Sequence, residues 1–178
     1  MAVHSDKPAR MRAPVAAGQS RLSRNHKQAL VELTEAILRY ANADDLIPRL
    51  IECVQRVMDV DNVAILRLDD TEQMLVMYTV RGPEEAVADQ VRVPLGQGVA
   101  GRIVASGEPL FIPDLSKAEV VNSFLSQHLR SLLGVPLRAA GRSFGVIHVS
   151  TVQQRKFTAT EVHLLELVAD RIALALDR

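Results

Sequence analysis

The chain has 178 residues, 48% hydrophobic and 24% charged, which excludes a disordered or collagen-like polymer and fits one domain of ordinary size. Its 21 basic and 21 acidic side chains cancel, giving no general pull toward nucleic acid or an anionic membrane, and four Phe, two Tyr and no Trp supply no stacking platforms for bases. One cysteine, Cys53, excludes an internal disulfide and a Cys-rich zinc site, and no apolar run nears the roughly 20 residues of a membrane span; the sums point to a soluble cytoplasmic α/β domain.

Residues 1–25 read as a flexible basic leader, with Lys7, Arg10, Arg12, Arg21 and Arg24 against Asp6 alone. It lacks the apolar centre of a secretory signal, and a transit peptide or an anion-binding arm are the alternative readings. Helical periodicity begins near His26, where Leu30, Leu33, Ile37 and Ala41 form a stripe. A second helix is expected from Asp44 or Asp45, with Pro48 in its first turn and Leu46, Leu50, Cys53 and Val57 along its apolar face. The period then drops to two. Strands are predicted over Asn62–Leu68, Gln73–Val80 and Gln90–Leu95, with Asp69–Glu72 as the first turn.

Gly96-x-Gly98-x-x-Gly101 has the spelling of a dinucleotide fingerprint. That reading needs a crossover helix into a parallel strand, whereas the helix here breaks after two turns at Ser106-Gly107. The glycines therefore read as a tight strand-to-helix turn. A short strand over Leu110–Ile112 and a helix over Ala118–Leu129 follow, the latter carrying Val121, Phe124, Leu125 and His128 on one face. Ser131–Arg138 and Ser143–Val152 form a hairpin around Gly141. Thr158-x-x-Glu161 has capping-box spacing and opens the last helix. The order predicts an antiparallel sheet with long helices on one face.

His128 and His148 are the candidate ligand-contacting histidines, since both look into one cavity if the short-helix lobe folds over the sheet; otherwise they satisfy a helix end and a core hydrogen bond. Cys53 reads as a buried inert side chain. No nucleophile–base pair, carboxylate dyad or phosphate-cradling loop is visible, so the chain is not expected to be an enzyme.

Four segments in order resemble a GAF domain, a small-molecule-binding module of bacterial signalling proteins. They are ADDL at Ala43–Leu46, PLGQGVAGRIVASGEPLFIPD at Pro94–Asp114, LRSLLGVPLRAAGRSFGVIHVST at Leu129–Thr151 and FTATEVHLLELVADRIALAL at Phe157–Leu176. The resemblance covers residues 26–178. It implies an α+β fold, a six-stranded antiparallel sheet with long helices on one face and a short-helix, ligand-binding lobe over Gly96–Leu129 on the other. The implied pocket walls are Phe111, Phe124, His128, Val146 and His148. It also implies a homodimer through the first and last helices and a downstream effector: a kinase, cyclase, phosphatase or transcription activator.

Departures from subfamily patterns narrow the ligand. Phe157 is followed by Glu161-Val162, and Gln154-Arg155-Lys156 lacks an Asn-Lys pair, so cyclic nucleotide is not expected. Gln127 rather than cysteine precedes His128, which argues against a covalent bilin, and one cysteine cannot form the disulfide of methionine sulfoxide reductases of this kind. Haem-binding relatives share a segment like Arg130–Pro136, with their ligating histidine at the position of Ser126 here; His128 or His148 would be the axial candidate. The leading expectation is thus a sensory module. A ligand-free dimerisation module and a haem-based sensor are the alternatives.

Overall fold

The computed structural model describes residues 19–39 and 42–177. Residues 1–18 of the expected leader lie outside them. Helix α1 spans Gln19–Arg39, so it begins upstream of His26 in a polar stretch with no apolar period to announce it. It turns Ala29 and Leu33 inward, whereas Leu30, expected on the apolar stripe, is exposed beside Val31. Helix α2 spans Ala43–Met58. Asn42 caps it, its side chain accepting the Asp45 N–H at 2.9 Å, so Pro48 falls in the second turn rather than the first.

Six strands follow the predicted order: β1 Asn62–Asp69, β2 Met74–Arg81, β3 Arg92–Pro94, β4 Leu110–Ile112, β5 Ser131–Ala139 and β6 Arg142–Thr151. They form one sheet in the order β3-β2-β1-β6-β5-β4 with every pair antiparallel. The β1–β2 turn is held by Asp69 Oδ1, which accepts from the Thr71 and Glu72 amides. The period of two decides which core each strand residue joins. Val63, Ile65, Leu133, Val135, Ile147 and Val149 pack under α1, α2 and α5 (Ala159–Leu176). Ala64, Leu66, Leu132 and Val146 face the opposite lobe, built on α3 (Gly98–Ser106) and α4 (Ser123–His128). The fold is therefore α+β, with a helical layer and a short-helix lobe on either side of the sheet. Among the described residues no helix is long and apolar enough to cross a membrane.

Two departures shape the lobe. Gln90, expected to begin a strand, ends a 3₁₀ helix over Pro83–Gln90 that sequence periodicity did not announce. The expected helix over Ala118–Leu129 shrinks to the six residues of α4, preceded by a 3₁₀ turn at Leu115–Lys117 and an extended strap over residues 118–122. Asp114 and Asn122 are the cause. Asp114 Oδ1 accepts from the Ser116 amide and Asn122 Oδ1 from the Phe124 amide, so each side chain starts its own short helix.

Gly96, Gly98 and Gly101 make the strand-to-helix turn. Gly96 and Gly98 have φ of +83° and +59°, and the Gly96 amide donates to the Gly101 carbonyl at 2.9 Å. The glycine motif is a packing device that seats α3 against the end of β3.

Candidate functional site

The polar heart of the molecule lies between the sheet and the lobe. Glu84 is 1% exposed and Asn62 fully buried. After β2 the chain turns at Gly82 with φ of +128°, so close to β1 that a Cβ there would stand 2.3 Å from the Asp61 carbonyl oxygen. Pro83 then starts the 3₁₀ helix and aims Glu84 inward. Asn62 clamps it twice: Asn62 Oδ1 accepts the Glu84 N–H at 3.0 Å, and Asn62 Nδ2 donates to Glu84 Oε2 at 3.0 Å. Asn122 Nδ2, at the end of the strap, donates to Glu84 Oε1 at 3.1 Å. One carboxylate thus ties the lobe to the first residue of β1.

His148 completes the cluster from β6, its Nε2 3.5 Å from Glu84 Oε2. In register it lies between Ala64 and Gly134, whose small size leaves room for the ring beneath α3. A Cβ on Gly134 would stand 2.4 Å from Ile103 Cδ1 of that helix. Burial pushes the imidazole below its ordinary value of 6.5, and the neighbouring Glu84 opposes that shift without reversing it. His148 Nδ1 and Ser150 Oγ are buried and find no hydrogen-bond partner among the described residues.

The sign of that shift makes stability fall with acid. An unfolded histidine takes up a proton near pH 6.5, which folded His148 resists, so the unfolded state binds more protons as the pH drops. Stability contributed by this group is present above about pH 6.5 and is lost below it, at up to about 1.4 kcal/mol per pH unit. Urea midpoints measured between about pH 7.5 and 5.5 will show this slope. His148→Gln will flatten it; an unchanged slope would place the acid sensitivity elsewhere.

The enclosed cavity is small, about 20 Å³, bordered by Glu84, His148 and Asn122 on its polar side and by Val99, Val121 and Leu125 on its apolar side. It has room for about one water-sized group. Past Val91, Val121 and Asn122, which border both spaces, lies an open cleft of about 290 Å³ reaching Val87, Phe124 and Gln127. A larger hollow, about 550 Å³, lies elsewhere: an open groove between α1 and α2 whose Arg56 pairs with Glu32 and Arg49 with Glu52. Cys53 opens onto that groove, its thiol pushed up to about 11 by burial and by the Glu32 carboxylate, as expected of an unreactive cysteine. Glu35 and Arg39 also line this groove, which opens broadly to solvent.

The structure brings together only part of the expected pocket wall. His148 borders the cavity, and Val146 lies fully buried in the same lobe-side core. Phe124 borders the outer cleft. His128 is exposed, its ring stacked on Phe124 with centroids 4.1 Å apart and its Nδ1 3.2 Å from the Phe124 carbonyl. Phe111 lies on the other face of the sheet. It pairs with Leu133 of the helical-layer core and meets Phe157 edge-on at 5.8 Å. Glu84, Asn62 and Asn122 were missed by sequence reasoning. The available signal was Asn62, a polar residue opening an otherwise apolar strand, which needs a buried partner.

Chemically the cluster can bind and orient a small polar group. Among the described residues no cluster of three or more His, Cys, Asp and Glu has metal-site geometry. A cavity of about 20 Å³ does not fit a haem, and His128 does not border it.

Comparison with known proteins agrees with this architecture. The GAF domain family matches residues 41–177. The formate hydrogenlyase transcriptional activator FhlA of Escherichia coli is 24% identical over 162 residues, 86% of this chain and 23% of that protein. The Nif-specific regulatory protein of Azospirillum lipoferum is 26% identical over 110 residues, 57% of this chain and 18% of that one. The chain thus spans less than a quarter of the length of these curated relatives. Among solved structures, the GAF domain of a phosphoenolpyruvate-protein phosphotransferase from Coxiella burnetii superposes with a TM-score of 0.77 at 18% identity, covering 87% of this chain and 94% of that one. The free methionine-R-sulfoxide reductase of Neisseria meningitidis, solved with its substrate, gives 0.75 at 19% identity, over 94% and 96%. At these identities the likeness is one of fold. With a family match over most of its length and this sheet, helical layer and lobe, the chain belongs to the GAF domain family.

Proposed function

We propose that this chain is a regulatory input module. It binds a small molecule between the sheet and the lobe and passes its state through α1 and α5 to an effector in the same signalling protein, such as a transcription activator. The observation that carries this reading is the cluster of buried Glu84, Asn62 and His148 with half-buried Asn122 beside an apolar cavity. Burying a carboxylate and an incompletely bonded imidazole costs free energy that an all-apolar filling would avoid, and such costs concentrate at functional sites. The homology to a formate hydrogenlyase activator and a Nif regulator supports the regulatory class. No catalytic group enters this reading.

Exposed Leu30 and Val31 on α1 and exposed Leu167 and Leu174 on α5 supply apolar surface for pairing two copies through the first and last helices. A cytoplasmic location accords with this role. The tight cavity favours a second reading, a dimerisation module that holds no ligand. Native mass spectrometry of the purified chain separates the two. The first predicts a dimer carrying extra small-molecule mass. A dimer that takes up nothing from a metabolite extract selects the second, and a monomer contradicts pairing through the helices.

A further inference from the structure

The polar side of the enclosed cavity is rich in acceptors and poor in donors. An ionised carboxylate offers roughly four lone-pair positions. That of Glu84 receives two amide donors, from Asn62 and Asn122, and faces His148 at ion-pair distance. The carboxylate beside Nε2 favours the tautomer with its proton on Nε2, which makes the unpartnered Nδ1 an acceptor. Asn122 Oδ1 accepts one amide and keeps a second lone pair. Among the described residues His148 is the one cationic side chain beside Glu84, and burial disfavours its charged form, whereas buried charges are ordinarily paired.

We propose that this cavity binds a primary ammonium group, either the ammonium ion or the head of a small alkylamine, with Glu84 supplying the countercharge and His148 and Asn122 the remaining acceptors. The inference rests on the ligand-binding reading above and gives it a chemical class. Three observations converge on it. The cavity of about 20 Å³ matches one group the size of water, and ammonium is of that size. A donor-only ligand answers an acceptor-rich wall, whereas a carboxylate or phosphate head would meet Glu84 as a like charge. The cleft of about 290 Å³ beyond Val121 and Asn122, lined in part by Val87 and Phe124, offers room for a short uncharged chain attached to that head.

The test is a titration of the 178-residue chain followed by the ring nitrogen resonances of His148. The probes are ammonium chloride, butylammonium chloride, butyramide and sodium butyrate, each against potassium chloride at equal ionic strength. The proposal expects saturable shifts with the two ammonium probes and none with butyrate or butyramide. In Glu84→Gln, which keeps the side-chain shape, ammonium binding should weaken by about tenfold or more. Should that variant not fold, Asn122→Ala removes an acceptor from the strap and should also weaken it. No saturable shift with either ammonium probe in the unaltered chain overturns the class. A saturable shift with butyrate or butyramide instead overturns it while leaving the pocket a binding site. Undiminished ammonium binding in both variants overturns the assignment to Glu84 and Asn122.

Discussion

Glu84→Ala will lower stability by about 3–5 kcal/mol in urea unfolding, because it removes a buried carboxylate that several side chains converge on. Charge removal alone does not set that size. Asn62 is fully buried, and with alanine at position 84 its Nδ2 loses the oxygen it donates to. The Asn122 amide loses its acceptor too, and His148 loses its only ion-pair neighbour among the described residues. A stranded buried donor such as Asn62 Nδ2 costs about 1–3 kcal/mol, half-buried Asn122 less, and the vacated carboxylate adds a void that water can only partly fill. Glu84→Gln is the informative partner. It keeps one acceptor oxygen and the shape, so it should lose about half as much or less. Equal losses would mean that charge, not hydrogen bonding, holds the cluster.

Gly101→Ala should be destabilising by about 3 kcal/mol or more, although glycine to alanine within an exposed helix gains about 1 kcal/mol. The new Cβ would stand 2.2 Å from the Pro94 carbonyl oxygen and 3.0 Å from the Gly96 nitrogen, both backbone atoms that cannot rotate away. That carbonyl already accepts the Gln97 amide, so relief requires α3 to lift from the end of β3. Val99 and Ala100 of α3 border the cavity, so the roof of the site lifts with it. Gly141→Ala is the contrast. Its φ is +77° but nothing lies within 4 Å, so it should cost only about 1 kcal/mol for the backbone. Thermal unfolding of the two variants side by side checks the difference.

The sheet was readable because its signals are local. Alternation along Ser143–Val152 separates Val146 and His148 from Ile147 and Val149, and the structure places the two sets in opposite cores. The hairpin bends at Ala140-Gly141, both at positive φ, where the glycine indicated a bend. The capping box also forms as spaced: Thr158 Oγ1 accepts the Glu161 amide and Glu161 Oε2 the Thr158 amide. What failed was non-local. Phe111 sits on a three-residue strand, too short for its pattern to choose a face, and pairing with Leu133 chose the helical layer. Glu84 reads as one more solvent acid between Pro83 and Glu85; only Asn62, 22 residues upstream, and Asn122, 38 residues downstream, give it a buried role. The strap defeated periodicity because Asp114 and Asn122 start short helices through their own side chains.

Glu84 fastens the lobe to the sheet through Asn122 on one side and Asn62 on the other. Amide hydrogen exchange of the chain and of Glu84→Ala, compared residue by residue, tests this link most directly. Protection should fall first and furthest at the Leu125 amide of α4, at the Leu129 amide that caps its end, and at the Val91 and Leu115 amides, while β1, β5 and β6 keep most of theirs. A uniform loss across sheet and lobe, or unchanged protection at Leu125 and Leu129, would contradict it.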